Sequence, residues 1–407
     1  MTNTLEEKLR HIIEHAYANA PMVKRIFDQS GLTPDAIQSL DDLDKIPVTS
    51  KDRLVELQQE NPPFGGFLAV PFDTLQHIFF SPGPLYEPHA GESAVMDTIQ
   101  EMFEVVGFGS GDVVINTFGY HLIPTGLAVD QVLRNMGATV IPAGVGNADL
   151  QIKMMLDLKA TGYVGTPSYL MALIQKAEEM GLDFGEAFSL KKAFVSAEPL
   201  PPQLRQAFVE RYNINVTNAY GTAELGFLAY DNEGGMAMHL LESSIIQVIN
   251  PETRQPANPG ETGEVVVTTF NETYPLIRLG TGDLAMNVDP APGKSRQGER
   301  SIILVGRVGD AVKVRGMFVH PNQLRFAVGQ VPGLQSFQAV VTRPENRDNF
   351  SLYVVLADET VDRQTIIETV SQAVQSACRV KVDQVEFVTA EKIGNEAEIL
   401  LDKRTWE

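Results

Sequence analysis

Between residues 75 and 200 the chain alternates short apolar runs with longer stretches of helical pattern, and no other feature constrains its fold as strongly. The runs are Gln76-His77-Ile78-Phe79-Phe80, residues 112–117 (DVVINT), 138–142 (ATVIP), 162–165 (GYVG) and 192–196 (KAFVS). Each precedes roughly 12–20 residues suited to a helix. Parallel strands need a long crossover between them, so the alternation predicts βαβ units around a mainly parallel sheet. Ligands of such sheets bind beyond the carboxyl ends of the strands, and the loops after these runs are where functional side chains are expected.

The flanking regions read differently. Residues 1–60 are helical: Leu5, Leu9, Ile12, Ile13 and Ala16 recur at helical spacing behind Thr4, a candidate cap, and Lys51 follows the turn at Pro47 as the start of a later helix. After residue 240, the segments 244–249, 263–269 and 302–305 alternate β-branched residues with Gly/Pro turns, which predicts a small antiparallel region. Residues 290–298 read as an exposed loop. Strands are predicted at 337–342, 351–356 and 384–388, with a helix over 363–379. The expected fold class is α/β, with a large N-terminal domain (1–305) of parallel and mixed sheets flanked by helices plus a small β region. A small α+β C-terminal domain (306–407) completes it.

At 407 residues the chain exceeds one ordinary domain. Its net charge of −20 opposes binding to phosphate backbones, so no nucleic-acid partner is expected. No run approaches the roughly 18 apolar residues of a membrane span, and the charged N-terminus is unlike a secretory leader. A lone cysteine, Cys378, excludes an internal disulfide and a cysteine-rich zinc site. A cytoplasmic protein is the expectation.

Three motifs follow in order: Asn218-Ala219-Tyr220-Gly221-Thr222-Ala223-Glu224, read as a turn; Thr281-Gly282-Asp283; and Gly306-Arg307-Val308-Gly309-Asp310. Their succession resembles that of the adenylate-forming (acyl-coenzyme A synthetase) superfamily. Lys45-Ile46-Pro47-Val48-Thr49-Ser50-Lys51-Asp52, Gly165-Thr166-Pro167-Ser168-Tyr169, Ser196-Ala197-Glu198-Pro199, the segment around His239 and the closing Leu401-Asp402-Lys403-Arg404 look like its phenylacetate–coenzyme A ligase branch. The resemblance runs over nearly the whole chain. It implies that Tyr220 stacks on adenine in a pocket formed with Ser196, Ala197, Glu198, Asn218, Ala219 and Gly221. It implies further that Thr222 holds the α-phosphate, Glu224 ligates Mg²⁺, Asp283 binds the ribose hydroxyls and Arg307 reaches ribose or phosphate. The C-terminal domain would be a mobile lid, and ATP/AMP, Mg²⁺ and coenzyme A the cofactors.

Two positions depart from that pattern. The phosphate loop of the superfamily, rich in Ser, Thr and Gly, ends in Lys-Pro; here the stretch reads Phe80-Ser81-Pro82-Gly83-Pro84-Leu85-Tyr86-Glu87-Pro88. Its three prolines remove N–H donors, and Glu87 stands where the triphosphate needs a positive charge. The C-terminal lysine of the superfamily is replaced near Glu396, with Lys392 four residues away as a substitute. Three readings therefore stay open: a ligase with compensating residues such as Lys392, Lys313 or Arg315; a pocket that uses preformed adenylates or thioesters; and a non-catalytic relative that binds AMP or a coenzyme A derivative.

The loop after residues 112–117 suggests an acyl pocket of Phe118, Tyr120, His121, Tyr163 and Phe227 for a small or aromatic carboxylate. His121 reads equally as a proton carrier or as a hydrogen-bonded partner of a neighbouring group. Gly316 would let a pantetheine arm pass close to the backbone. No metal besides Mg²⁺ is expected, and a homodimer is expected by analogy alone.

Overall fold

The computed structural model describes residues 4–404 apart from 82–83, 92, 232–233, 316, 345–347, 359–360 and 394–398. The chain forms two compact units. One comprises Met1–Gln247, Val266–Thr281 and Asp289–Ile302, the other Val248–Val265, Gly282–Val288 and Ile303–Glu407.

The first unit opens with the helix Leu5–Asn19. Thr4 caps it reciprocally: its hydroxyl accepts the Glu7 N–H at 3.2 Å, and the Glu7 carboxylate accepts the Thr4 N–H at 2.8 Å. Leu9, Ile12, Ile13 and Ala16 share the buried side, as their spacing requires. The helix Lys51–Glu60 begins where Ser50 accepts the Arg53 N–H at 3.2 Å. Lys51 is therefore in the first turn, at a fixed place.

The parallel sheet runs Thr139–Pro142, Val113–Asn116, Gly162–Gly165, Lys192–Val195 and Asn215–Thr222 in spatial order, every neighbouring pair parallel. Helices Thr125–Asn135, Ala148–Asp157 and Pro167–Glu179 lie between successive strands in the chain. Adjacent strand residues enter different cores. Ile115, Tyr163 and Val195 join one cluster, and Val114, Val164 and Phe194 another. Both faces are thus covered, which is why these strands are short continuous apolar runs rather than alternating ones. Beyond Asn215–Thr222 the sheet turns antiparallel through Gly226–Tyr230 and Met238–Leu240.

Two expectations need correction. The run at 76–80 is no part of the parallel sheet. His77–Ser81 pairs antiparallel with Leu85–His89 in a separate hairpin, with Phe79 opposite Glu87 and Ser81 opposite Leu85. Pro84 and Pro88 disfavour a helix after the first strand, so the chain returns as a second strand. The motif at 218–224 is also not a turn throughout. Asn218–Thr222 ends a long strand whose register shifts between Tyr220 and Gly221, a bulge that re-aims the side chains after it. Residues 290–298 are largely exposed as expected, except that Gln297 is buried. Its amide donates to the Leu241 and Ser244 carbonyls at 2.6 Å each and accepts the Ile246 N–H at 2.9 Å.

The second unit contains a four-stranded sheet in the order Gln384–Phe387, Asn349–Leu356, Leu334–Thr342, Leu400–Asp402. The central pair is antiparallel and each outer strand is parallel to its neighbour. Leu324 and Val328 of Pro321–Gly329, with Ile366, Val370 and Val374 of Arg363–Cys378, pack into its core. Among the described residues no helix is long and apolar enough to cross a membrane.

Candidate active site

Register brings the predicted residues of the first unit into line. Asn116 pairs with Val164, Gly165 with Val195 and Val195 with Asn218, so the loops beginning at Thr117, Thr166 and Ser196 and the strand continuing through Ala219 leave the sheet side by side. Ser196 is buried and donates its hydroxyl to the Ala219 carbonyl at 2.7 Å. That bond ties the Ser196-Ala197-Glu198 loop to the strand of Tyr220. Ala197 sits at φ 69°, a left-handed conformation that costs a non-glycine residue about 1 kcal/mol, and the bond at Ser196 helps hold it there. Glu198 is exposed and accepts the Ser168 N–H at 3.4 Å.

Tyr220 is buried, with its hydroxyl donating to Thr281 at 3.5 Å. Gly221 could not be another residue without moving backbone, because an added Cβ would fall 2.4 Å from the Gly226 carbonyl oxygen. Asn218 Oδ1, Thr222 Oγ1 and Glu224 Oε1 are buried oxygens with no hydrogen-bond partner. Leaving such atoms unmatched is costly, and native structures seldom do it without a ligand, water or ion to match them. Oxygen acceptors of this kind suit a hard divalent cation, so Glu224 with Thr222 fits the Mg²⁺ that the sequence resemblance implies.

Sequence reasoning missed a partner for Glu224. Lys51 Nζ stands 3.0 Å from its Oε1 and donates to Oε2 at 3.3 Å, with the Glu224 side chain 1% exposed. Glu87 belongs to the same neighbourhood. The hairpin turns Phe79, Ser81, Leu85 and Glu87 inward while Ile78, Phe80 and Tyr86 face outward. Gln58 clamps the hairpin by accepting the Tyr86 N–H and donating to the Tyr86 carbonyl, both at 2.8 Å, and it also donates to the Tyr274 hydroxyl at 2.9 Å. Burial pushes the Glu87 carboxyl up to about 7; the charge of Glu224 adds to the rise, while Ser81 and Lys51 oppose it. The sequence marked Lys51, Glu87 and Glu224 in separate motifs, but nothing in it joined Lys51 to Glu224, 173 residues away. Pro82 and Gly83 of the same stretch lie outside the described residues.

The acyl-pocket candidates separate. Phe118 and Phe227 lie in one core cluster, where Phe227 packs edge-on against Phe194 at 5.4 Å between centroids. Tyr163 lies in another, with its hydroxyl accepting from Thr117 at 3.0 Å and donating to the Thr166 carbonyl at 2.8 Å. Tyr120 is half-buried, accepts from Asn116 at 2.8 Å and donates to Asp130 at 3.0 Å. Burial raises the pKa of both tyrosines, which remain neutral donors. His121 is exposed.

In the second unit Asp283 lies on a strand and holds Arg307 Nε at 3.1 Å from its Oδ1, the arginine remaining two-thirds exposed. Glu264, half-buried close by, accepts the Gly282 N–H at 2.9 Å; desolvation raises its pKa, and the charge of Asp283 adds to the rise. Lys392 Nζ sits 3.5 Å from Glu386 and 4.6 Å over the Tyr353 ring, half-exposed. The Arg315 guanidinium is engaged with Asp383 and with the Asp348 and Lys381 carbonyls of its own unit. Gly316, Asn395 and Glu396 lie outside the described residues.

Residues 90–271 match the family model for AMP-binding enzymes. The chain is 30% identical over 342 residues to a phenylacetate–coenzyme A ligase of Aromatoleum evansii, across 81% of this chain and 75% of the relative. It is 30% identical over 374 residues to the phenylacetate–coenzyme A ligase of Escherichia coli strain K12, across 87% and 82% of the two chains. An open conformation of 2-hydroxyisobutyryl-CoA ligase in complex with 2-HIB-AMP and CoA shares the fold, with TM-score 0.82 over 98% of this chain and 91% of that one at 23% identity. Such identity over most of both chains, on a sheet that carries the motifs at its strand ends, shows that the protein belongs to the adenylate-forming, AMP-binding family, in its phenylacetate–coenzyme A ligase-like branch.

Proposed function

We propose that this chain joins a small or aromatic carboxylic acid to ATP as an acyl-adenylate and then passes the acyl group to coenzyme A in the cytoplasm. In the first step a carboxylate oxygen bonds to the α-phosphorus and the bond to the pyrophosphate oxygen breaks. In the second the thiol sulfur bonds to the acyl carbon, AMP leaves with the electron pair of the C–O bond, and the thiol proton passes to solvent.

The observation that supports this most is the set of buried oxygens on Asn218, Thr222 and Glu224, at and just beyond the end of one strand, those of Asn218 and Thr222 without a hydrogen-bond partner and that of Glu224 ion-paired with Lys51, beside the Ser196-Ala197 loop. In this reading Tyr220, Ser196, Ala197, Glu198, Asn218, Ala219 and Gly221 form the adenine pocket. Thr222 donates to the α-phosphate, and Asp283 and Arg307 serve the ribose. Phe118, Tyr120, His121, Tyr163 and Phe227 shape the acid site. Gly316 gives the thiol arm passage, Lys392 supplies charge during adenylation, and residues 306–407 act as the lid. A divalent cation held by Glu224 would neutralise phosphate oxygens when bound.

Glu87 favours a second reading, because a carboxylate in the phosphate hairpin disfavours a triphosphate more than a monophosphate. The pocket would then serve preformed acyl-adenylates. Calorimetric titration separates the two. Ligation predicts that ATP–Mg²⁺ and AMP both bind and that Thr222→Val weakens each about tenfold, the loss of a charge-assisted hydrogen bond. AMP binding without ATP binding would favour the second reading, and no nucleotide binding would contradict both.

A further inference from the structure

We infer that Glu87 and Glu224 hold a divalent cation of the magnesium or manganese class directly, without nucleotide, with the Ser81 hydroxyl as a neutral ligand. The inference goes beyond the proposed reaction and stands on the hairpin and the Lys51–Glu224 pair. Glu87 is 3% exposed and Ser81 1% exposed, and both Glu87 carboxyl oxygens and Ser81 Oγ are without a hydrogen-bond partner. Glu224 adds a third carboxylate oxygen in the same condition, Oε1, although Lys51 stands beside it. A buried carboxylate that must share one lysine with a second carboxylate is among the less favourable arrangements a protein can keep.

The charge count shows what is missing. Lys51 brings one positive charge against the two carboxylates of Glu87 and Glu224, which leaves the cluster at −1 when all are ionised. A lysine at position 87, as the superfamily pattern has it, would leave +1. A divalent cation restores that same +1, so the ion supplies here the positive charge that the lysine supplies elsewhere. The chemistry of the donors selects the ion. All are hard oxygens, with no nitrogen or sulfur, which suits magnesium or manganese and disfavours zinc. Among the described residues no three His, Cys, Asp or Glu side chains gather as a metal set. Two carboxylates and a hydroxyl, with water completing the shell, are a usual protein share for magnesium, which keeps several of its waters.

The test uses the full, metal-stripped chain and manganese alone, with no nucleotide, acid or coenzyme A. Free Mn²⁺ is followed by its paramagnetic resonance signal in enough salt to screen the acidic surface. One Mn²⁺ should bind per chain and be displaced by Mg²⁺. Glu87→Gln should weaken it at least tenfold, the loss that even a supporting group of a metal site typically brings. Glu210→Gln, an exposed acid elsewhere, should leave it unchanged. No uptake at millimolar Mn²⁺, or Glu87→Gln binding as tightly as the parent, overturns the inference. Should Glu87→Gln fail to fold, the melting temperature carries the test: Mn²⁺ should raise it for the parent and raise it less for Ser81→Ala. The absence of any rise for the parent overturns the inference equally. Adenylation is judged separately. A chain that binds Mn²⁺ through Glu87 yet forms no adenylate removes the proposed reaction and keeps this site, while a working ligase without nucleotide-free Mn²⁺ binding does the reverse.

Discussion

Each unit contains a cluster of charged side chains that are at least partly buried, and the two clusters end in opposite states. In the second unit Asp348 accepts the Arg315 N–H at 3.0 Å, Arg343 Nε at 2.8 Å and Arg404 Nη1 at 3.4 Å. Arg315 also engages Asp383, and Arg404 donates to Asp402 at 2.6 and 2.8 Å. Three guanidiniums meet three carboxylates, and the charges cancel. In the first unit one lysine meets two carboxylates, and four buried oxygens of Ser81, Glu87 and Glu224 find no hydrogen-bond donor. Closed networks of the first kind hold a structure together, whereas open ones are kept where something else completes them. The contrast marks the hairpin, rather than the arginine network, as the place where a ligand belongs.

Breaking the closed cluster should have the largest effect. Asp348→Ala takes a carboxylate away from the Arg343 and Arg404 guanidiniums and should cost about 3 kcal/mol, toward the low end for breaking a buried ion pair, in urea unfolding of the full chain. Opening the other cluster further should act in the opposite direction. In EDTA at pH 8, Glu87→Gln should stabilise by about 2 kcal/mol, somewhat less than a rise from 4.5 to about 7 implies, since the new amide also lacks partners.

Their pH dependences should differ in sign as well. The folded-state pKa of Glu87, about 7, lies above the ordinary 4.5, so the folded chain keeps a proton that the unfolded chain releases. Parent stability should therefore fall as pH rises from about 4.5 to 7, and Glu87→Gln should remove that slope. Burial alone would raise Asp348, but its arginine hydrogen bonds outweigh that and hold it at about 2, below the ordinary 3.8. Its contribution is complete above pH 3.8 and is lost as pH falls toward 2. Thermal melts of the parent and both variants from pH 2 to 8 check the two signs together. The smallest effect concerns Lys392. Its half-exposed contacts with Tyr353 and Glu386 are worth about 0.5–1 kcal/mol, so Lys392→Ala should barely change stability. A fall in adenylation rate of tenfold or more would then mark a role in the reaction.

Much of the fold was legible because local patterns and tertiary packing agree. The parallel strands read as apolar runs since both their faces are buried, and the elements predicted at 337–342, 351–356, 363–379 and 384–388 lie within about three residues of those places, whereas the helix Pro321–Gly329 and the strand Leu400–Asp402 were not foreseen. The hairpin was half legible. Its first strand was apparent, but Leu85-Tyr86-Glu87-Pro88-His89 has the composition of a loop and becomes a strand only by pairing with His77–Ser81. Glu87 was recognised as a reversed charge, yet its burial depends on the hairpin face and on Gln58, which a linear pattern does not show. The Lys51–Glu224 pair joins residues far apart in the chain that meet only in the fold. Arg315 shows the converse. In sequence it is a free cation beside a glycine, and in the structure its guanidinium belongs to Asp383 and neighbouring carbonyls.

The proposed adenylation of a carboxylic acid would have to proceed despite the carboxylate in the phosphate hairpin. Pyrophosphate release from Mg²⁺–ATP, screened over aromatic and short-chain acids with and without each acid, tests it most directly. Release should depend on acid for at least one acid and fall about a hundredfold or more in Glu224→Gln, the scale expected when one group that stabilises transition-state charge is removed. Release for none of the acids, by a folded chain that still binds AMP, would contradict it.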